Sequence, residues 1–160
     1  MRLEEIEDIK QLKYRYVRAI DTANEAELRD IFTEDAKVHY IGATYDFKQT
    51  GRDQIVESLM DAFHNQALAQ HMLHHPVIRF QSETEATGQW TLQDVFYNLD
   101  IGIRTSGTAE YMDKYVRTDA GWKIAEAKYQ RTTEFIDPIS PDTDFTYRRL
   151  AETGRPPKTD

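Results

Sequence analysis

The sequence predicts an α+β domain in which N-terminal helices pack on a curved, mostly antiparallel sheet and form a cone-shaped α+β barrel. Two observations predict this class. Helical periodicity dominates roughly the first 65 residues, whereas long segments rich in aromatic and β-branched residues dominate the rest. The length of 160 residues fits a single domain. Such a cone has a pocket at its open end.

Three helices are expected in the first part. Apolar residues recur every three or four positions over 3–20, which predicts a long amphipathic helix. Residues 22–25 have the Thr-x-x-Glu form of a capping box, so a short second helix should start there and end at 33–35. A brief strand follows at 37–41, and Gly51 introduces the third helix.

Four strands are expected next, each an antiparallel neighbour of the one before it, because polar turns separate them. They are predicted at 71–80, 86–99, 107–118 and 121–135. The remaining residues contain four of the five prolines and no clear period. We therefore expect one domain over 1–136 and a C-terminal extension or arm over 137–160.

Composition limits the classes of partner. Twenty Lys and Arg against twenty-eight Asp and Glu give 20 − 28 = −8, and an acidic chain repels phosphate backbones, so a nucleic-acid partner is not expected. The sequence shows no apolar run typical of a signal peptide or a membrane span, and it contains no cysteine. These features predict a soluble, cytoplasmic protein without disulfides and without a membrane partner.

Candidate acid–base residues lie in the first helix, just after it, and at the start of the first long strand. Tyr16 is on the apolar face of the first helix, and Asp21 follows its last turn. Strand alternation places His71 and His75 on one face and His74 on the other, although Pro76 can break that register. A histidine that faces a pocket beside a carboxylate is a usable general base, so His71 is the candidate. From the pattern alone, Tyr16 could equally be a core aromatic residue, and Asp21 a turn residue.

An acidic residue interrupts the aromatic pattern of the second predicted long strand. Asp94 shares a face with Trp90 and Phe96, and burial there requires pairing, hydrogen bonds or protonation. It is either an edge charge or an acid–base group of a pocket. Arg131 and the alternating residues of the third strand could equally form cross-strand ion pairs. An aromatic lining that suits a flat hydrophobic ligand is expected from Trp90, Phe96, Tyr111 and Tyr115.

The sequence lacks the motifs that are typical of metal and nucleotide sites. No His-Glu-x-x-His helix is present, and a strand would place the ligands of a His-x-x-His pair on opposite faces. The glycine-rich nucleotide loops and the Gly-x-Ser-x-Gly elbow are also missing. We therefore expect proton-transfer chemistry with no metal and no cofactor.

Several segments together resemble the nuclear transport factor 2-like (SnoaL-like) superfamily, and within it the dehydratases typified by scytalone dehydratase and bile acid dehydratase. The likeness extends through residue 135. The matching segments are residues 9–13 with Tyr16 and Asp21, residues 71–74, residues 82–90 leading to Asp94, and residues 111–115 leading to Gly121 and Trp122.

The resemblance implies a cone-shaped fold with a cofactor-free pocket. Tyr16, Asp21 and His71 match the family's catalytic residues, and Tyr40, Asp94 and Arg131 match pocket positions. In such dehydratases the histidine removes a proton next to a carbonyl, the aspartate supports the imidazolium, and the tyrosine hydrogen-bonds the oxygen that gains charge. A homo-oligomer, either a dimer or a trimer, is also implied.

The expected function is thus a cofactor-independent lyase, a dehydratase for a hydroxylated hydrophobic ring compound that is steroid-like or aromatic. Related pockets serve carbon–carbon cleavage that releases formaldehyde from lignin-derived aromatic dimers, as well as isomerisation and ring closure. A further alternative is a ligand-binding scaffold, or the non-catalytic small subunit of a ring-hydroxylating dioxygenase, which shares the fold.

Overall fold

The computed structural model describes residues 2–158 of the chain. The helices and strands follow one another in this order: α1 (Leu3–Asp21), α2 (Glu25–Ile31), β1 (Phe32–Ile41), β2 (Asp46–Thr50), α3 (Arg52–Ala62), β3 (Ala67–Phe80), β4 (Glu85–Asn98), β5 (Ile103–Thr118), β6 (Gly121–Pro138) and α4 (Arg149–Thr153). No helix in this described part of the chain is long and apolar enough to cross a bilayer.

The six strands form one curved sheet in the order β2-β1-β6-β5-β4-β3. Neighbouring strands are antiparallel except β1 and β6, which are parallel. The sheet does not close on itself, since β2 and β3 are its free edges. Helix α1 packs against β3 and β6, and α3 packs against β1 and β2. The predicted α+β class is confirmed, and the helices rather than strand pairing complete the wall of the cone.

Helix α1 follows the predicted periodicity. It places an apolar stripe against the sheet, and each large apolar side chain buried there contributes about 2 kcal/mol to folding. The buried residues of the stripe include Ile9, Leu12, Tyr16, Val17 and Ile20.

The predicted cap of the second helix is wrong. Helix α2 begins at Glu25, and its N-cap is Asn24, whose side chain accepts a hydrogen bond from the backbone N–H of Glu27 at 3.1 Å. Thr22 instead ends α1, because both its N–H and its hydroxyl donate to the carbonyl of Arg18. The helix also ends earlier than predicted, since the chain is already extended from Phe32 onward.

Strand β2 was not predicted from the sequence. It is short and polar, and its register with β1 runs from Lys37 opposite Thr50 to Ile41 opposite Asp46. The intervening residues 42–45 form a tight turn, in which the N–H of Gly42 donates to the carbonyl of Tyr45 at 2.9 Å.

The four predicted long strands are confirmed, although β3 and β5 each begin four residues earlier than predicted. The register of β3 with β4 shifts between His74 and Val77. His75 lies in this bulge with a φ of 51°, so the simple alternation of the histidines stops there. The break occurs next to Pro76, where the sequence indicated it.

The chain after β6 crosses back to the helices. The short helix α4 buries Leu150, and Arg155 binds Glu57 and Asp61 of α3. The separation of residues 137–160 as an arm stays a prediction, and its end at residue 160, like the start of the domain at residue 1, lies outside the described residues.

Candidate active site

A cavity of about 340 Å³ lies between the helices and the sheet. Most of its wall is aromatic, and a few polar side chains interrupt this lining. The aromatic side chains are Tyr16, Tyr40, Tyr45, Phe47, Phe63, Phe96, Tyr111 and Tyr129. The polar side chains are Thr44, Ser58, His71, Asp94, Thr105 and Arg131. This composition is typical of a small-molecule site.

His71 and Asp21 form a hydrogen-bonded pair at the edge of this cavity. Asp21 is the last residue of α1, and its carboxylate accepts two bonds from His71 of β3. One comes from the backbone N–H at 2.9 Å and the other from ring Nδ1 at 2.5 Å. Because a carboxylate can only accept, Nδ1 carries a proton. The ring lines the cavity and packs edge-on against Phe63, with 5.5 Å between ring centroids. In the neutral ring, Nε2 is therefore the basic nitrogen.

Two phenols meet in another part of the same wall. The hydroxyl oxygens of Tyr16 on α1 and Tyr40 on β1 are 2.6 Å apart, and both side chains are buried. Burial raises the pKa of each phenol well above its usual value. Both hydroxyls therefore stay protonated at neutral pH, and the hydrogen bond between them uses one of their two hydrogens.

Asp94 and Arg131 form an ion pair in the wall of the cavity. Asp94 lies directly opposite His71 in the register of β3 and β4. Its two oxygens accept from the two terminal nitrogens of Arg131, and the Nη2–Oδ2 distance is 2.8 Å. The remaining nitrogen of Arg131, Nε, donates to the hydroxyl of Tyr45 at 3.1 Å and lies 3.4 Å from Glu134 Oε2. Asp94 is thus half of a fixed ion pair rather than an isolated buried acid.

Most of the predicted site residues meet at this one cavity. His71, Tyr16, Tyr40, Asp94, Phe96, Tyr111 and Arg131 line it, and Asp21 stands behind the ring of His71. The roles assigned to these residues stay predictions.

Trp90 does not line the cavity, contrary to expectation. It is 2% exposed, and its indole N–H donates to the hydroxyl of Tyr115 at 2.9 Å. Alternation correctly places Trp90 on the same face of β4 as Asp94, but it lies four residues away along the strand and within the core. Tyr115 is buried with it and also lies outside the lining.

Sequence reasoning missed several lining residues. Tyr45 and Phe47 belong to the hairpin that was not predicted. Tyr129 could have been found, because it precedes Arg131 by two residues and so shares its face of β6. Its ring stacks on Tyr40 with centroids 4.8 Å apart, and its hydroxyl is 2.5 Å from that of Tyr45.

The other histidines lie away from the cavity lining. His39 pairs with Asp46 at 2.7 Å, and His64 lies 3.6 Å from Asp100. His74 and His75 are exposed. Within residues 2–158, no three or more His, Asp or Glu side chains are grouped as metal ligands.

The comparisons with known proteins agree with this architecture. A family model described as a SnoaL-like domain matches residues 1–128. Similar solved structures include a candidate scytalone dehydratase from Novosphingobium aromaticivorans, with 24% identity, a TM-score of 0.70, and coverage of 96% of this chain and 93% of that one. The hexachlorocyclohexane dehydrochlorinase LinA-type3 from Novosphingobium barchaimii has 18% identity and a TM-score of 0.71, with 88% and 93% covered.

A third similar structure is the Kfla4162 protein from Kribbella flavida, with 16% identity, a TM-score of 0.77, and coverage of 84% of this chain and 95% of that one. At these identities the structural likeness shows the fold. Because the family model covers most of the sequence, the chain belongs to the SnoaL-like domain family of the nuclear transport factor 2-like superfamily.

Proposed function

We propose that this protein is a cofactor-independent lyase, a dehydratase that removes water from a hydroxylated hydrophobic ring compound. One observation carries the proposal: the Asp21–His71 pair and the Tyr16–Tyr40 phenols face one aromatic cavity. A base with a fixed tautomer and a neutral hydrogen-bond donor are the two parts that proton abstraction next to a carbonyl needs.

The chemistry divides into two proton transfers. His71 Nε2 takes a proton from the carbon next to the substrate carbonyl, and the electron pair of that C–H bond moves toward the carbonyl oxygen. Tyr16 donates a hydrogen bond to this oxygen as it gains negative charge, while Asp21 stabilises the imidazolium. The C–O bond to the β-hydroxyl then breaks, a C=C bond forms, and Nε2–H returns the proton to the departing oxygen as water.

The charges of the cavity favour an uncharged substrate. Arg131 is the cation of the lining, and both of its terminal nitrogens bind Asp94. It therefore offers a carboxylate or phosphate substituent little uncompensated charge. An aromatic space of about 340 Å³ accommodates a compact ring system, either steroid-like or aromatic, with few polar substituents.

The comparisons support an elimination reaction. Among similar structures, one is named as a candidate dehydratase and another as a dehydrochlorinase. The fold alone does not select the chemistry, so the proposal rests on the residues of the cavity.

The test is turnover of a panel of neutral β-hydroxy ketones built on aromatic and steroid-like rings, with products identified by mass. We expect loss of water with the wild-type protein and a drop of at least about 100-fold in His71→Gln. The matched control is His74→Gln, because His74 is an exposed histidine of the same strand and lies outside the cavity lining. It should retain wild-type turnover.

Three results would count against the proposal. Wild-type turnover in His71→Gln would show that His71 is not the base. Release of formaldehyde instead of water would show that the protein is a carbon–carbon lyase that uses the same base. Lack of turnover across the panel, together with stable co-purification of a larger subunit, would favour the scaffold alternative.

A further inference from the structure

A buried lysine packs against two tyrosine rings of the cavity wall, those of Tyr16 and Tyr111. Lys13 precedes Tyr16 by three residues on α1, so both side chains share one face of the helix. The side chain of Lys13 is 0% exposed, and its Nζ lies 2.8 Å from Asp113 Oδ2 on β5. The proposed reaction assigns no step to this pair.

The ammonium group of Lys13 contacts the faces of two rings of the cavity wall. Nζ lies 3.5 Å from the ring centroid of Tyr111 and 4.5 Å from that of Tyr16. Both distances are within the range of a cation–π interaction, in which the negative face of the ring attracts the cation. Both residues also line the cavity.

The same oxygen of Asp113 also accepts a hydrogen bond from a second buried side chain. The hydroxyl of Tyr115 donates to Asp113 Oδ2 at 2.7 Å, and the indole N–H of Trp90 donates in turn to Tyr115. Burial lowers the pKa of Lys13 and raises the pKa of Asp113, and the attraction between the two groups opposes both shifts. The two ring faces and the Tyr115 hydroxyl also favour the ionised form of the pair.

Stability alone does not account for this arrangement. Taking two charges out of water costs several kcal/mol per ion, and apolar residues of similar volume often fold as well or better in such places. The position of the ammonium under Tyr16 does suggest a function. A cation at the π face withdraws electron density from the phenol and favours a stronger O–H donor in a low-dielectric site, whereas the negative charge of Asp113 acts on Tyr16 in the opposite direction.

We propose that Lys13 is a positioning residue that acts through Tyr16, because its ammonium group strengthens the hydrogen bond from the Tyr16 hydroxyl to the substrate oxygen that gains negative charge. Asp113 keeps this ammonium group charged and in place. Lys13 itself does not touch the substrate. The inference rests on the proposed function, since it assigns a role within that reaction.

The first test combines charge removal with a change at Tyr16. In Lys13→Met/Asp113→Asn, both charges are lost with little change in volume. We expect kcat to fall about tenfold while KM changes less than about twofold. In a Tyr16→Phe background, the same double change should cost less than about twofold, because the hydroxyl through which Lys13 acts is gone. An equal loss in both backgrounds would show a purely structural role and overturn the inference.

A matched control neutralises a surface ion pair of the same sheet. Lys114 lies next to Asp113 on β5, and its Nζ is 3.0 Å from Glu126 Oε2, with the two side chains 61% and 40% exposed. The variant Lys114→Met/Glu126→Gln should keep wild-type kcat and KM. A tenfold loss here would mean that net charge rather than the buried ammonium matters, which would also overturn the inference.

Two further measurements separate this inference from the proposed function, because neither requires turnover. The first is binding of para-nitrophenolate, a probe with a negatively charged oxygen. Lys13→Met/Asp113→Asn should bind it about tenfold more weakly than the wild type, and should bind neutral phenol within about twofold. Equal affinity of variant and wild type for the phenolate would overturn the role of Lys13 even if the panel shows turnover.

The second is the nitrogen NMR shift of Lys13 in the unaltered, isotope-labelled protein. We expect the signal of an ammonium group at neutral pH. A neutral amine would overturn the inference whether or not the variants fold.

Discussion

At the scale of single residues, one carboxylate sets the chemistry of His71. Asp21 accepts from both the backbone N–H and ring Nδ1 of His71, so it fixes the position of the strand and the tautomer of the ring together. Spacing along the chain could predict that a helix end and a strand start supply these groups. It could not predict the two bonds, because those depend on how α1 packs against β3.

Replacing the carboxylate of Asp21 tests this arrangement. In Asp21→Asn, the side-chain amide can donate to Nδ1, which would shift the ring proton to Nε2 and remove the base. We expect turnover to fall at least about 100-fold, measured as kcat on the ring ketone that the panel identifies. Asp46→Asn is the matched control, because Asp46 also pairs with a histidine, His39, but at an exposed site. Turnover of Asp21→Asn within a few-fold of the wild type would refute the pairing role.

Breaking the Lys13–Asp113 pair from one side should cost stability. Lys13→Met alone leaves a buried carboxylate without its counter-charge, and we expect a loss of about 3 to 5 kcal/mol in the free energy of unfolding. Adding Asp113→Asn should recover most of that loss, because no unpaired charge remains. Urea denaturation measures both values. Losses that simply add in the double variant would contradict a coupled pair.

At the scale of elements, the β1–β2 hairpin shows where sequence reasoning stops. The residues of β2 alternate too weakly between apolar and polar for a strand prediction, since Phe47 is the only apolar residue among them. Pairing with β1 supplies the missing stabilisation. The same hairpin places Tyr45 against Tyr129 and Arg131. Because the hairpin was not predicted, its contribution to the cavity wall was not predicted either.

The helix α4 stabilises the fold through one buried side chain. Leu150 is 1% exposed, and Leu150→Ala should lower the free energy of unfolding by about 3 kcal/mol through lost burial and a cavity. Leu3→Ala makes the same chemical change where the side chain is 59% exposed, so its effect should be within about 0.5 kcal/mol. Chemical denaturation of the two variants provides the comparison. Equal effects would show that α4 does not stay docked in solution.

At the scale of the whole molecule, buried tyrosines couple folding to alkaline pH. Burial raises the pKa of Tyr16, Tyr40, Tyr111 and Tyr115 well above the usual value near 10. The folded state therefore keeps protons that the unfolded chain releases above about pH 10. Stability should be full below that pH and should fall as the pH rises beyond it.

Tyrosinate absorbance followed together with circular dichroism tests this coupling. The chain has nine tyrosines, and we expect these four to ionise only as the protein unfolds. Ionisation of all nine phenols while the circular dichroism signal stays native would contradict the packing around the cavity.

Periodicity predicted the order of helices and long strands well, because it reports which face of each element is buried. Periodicity could not predict which residues on a buried face lie in the core and which line the cavity. Trp90 and Asp94 share a face of β4, yet one lies within the core and the other lines the cavity. The buried Lys13–Asp113 ion pair was not predicted either, because the two residues are far apart in the sequence. Self-association stays a prediction at this scale.

The position of the proton on the His71 ring decides whether this residue can act as the base. Nitrogen NMR of histidine-labelled protein, at a pH where the ring is neutral, distinguishes the two tautomers. We predict a proton on Nδ1, hydrogen-bonded to Asp21, and an unprotonated Nε2 toward the cavity, with this preference lost in Asp21→Asn. A proton on Nε2 in the wild-type protein would leave the cavity without its base and would refute the proposed role of His71.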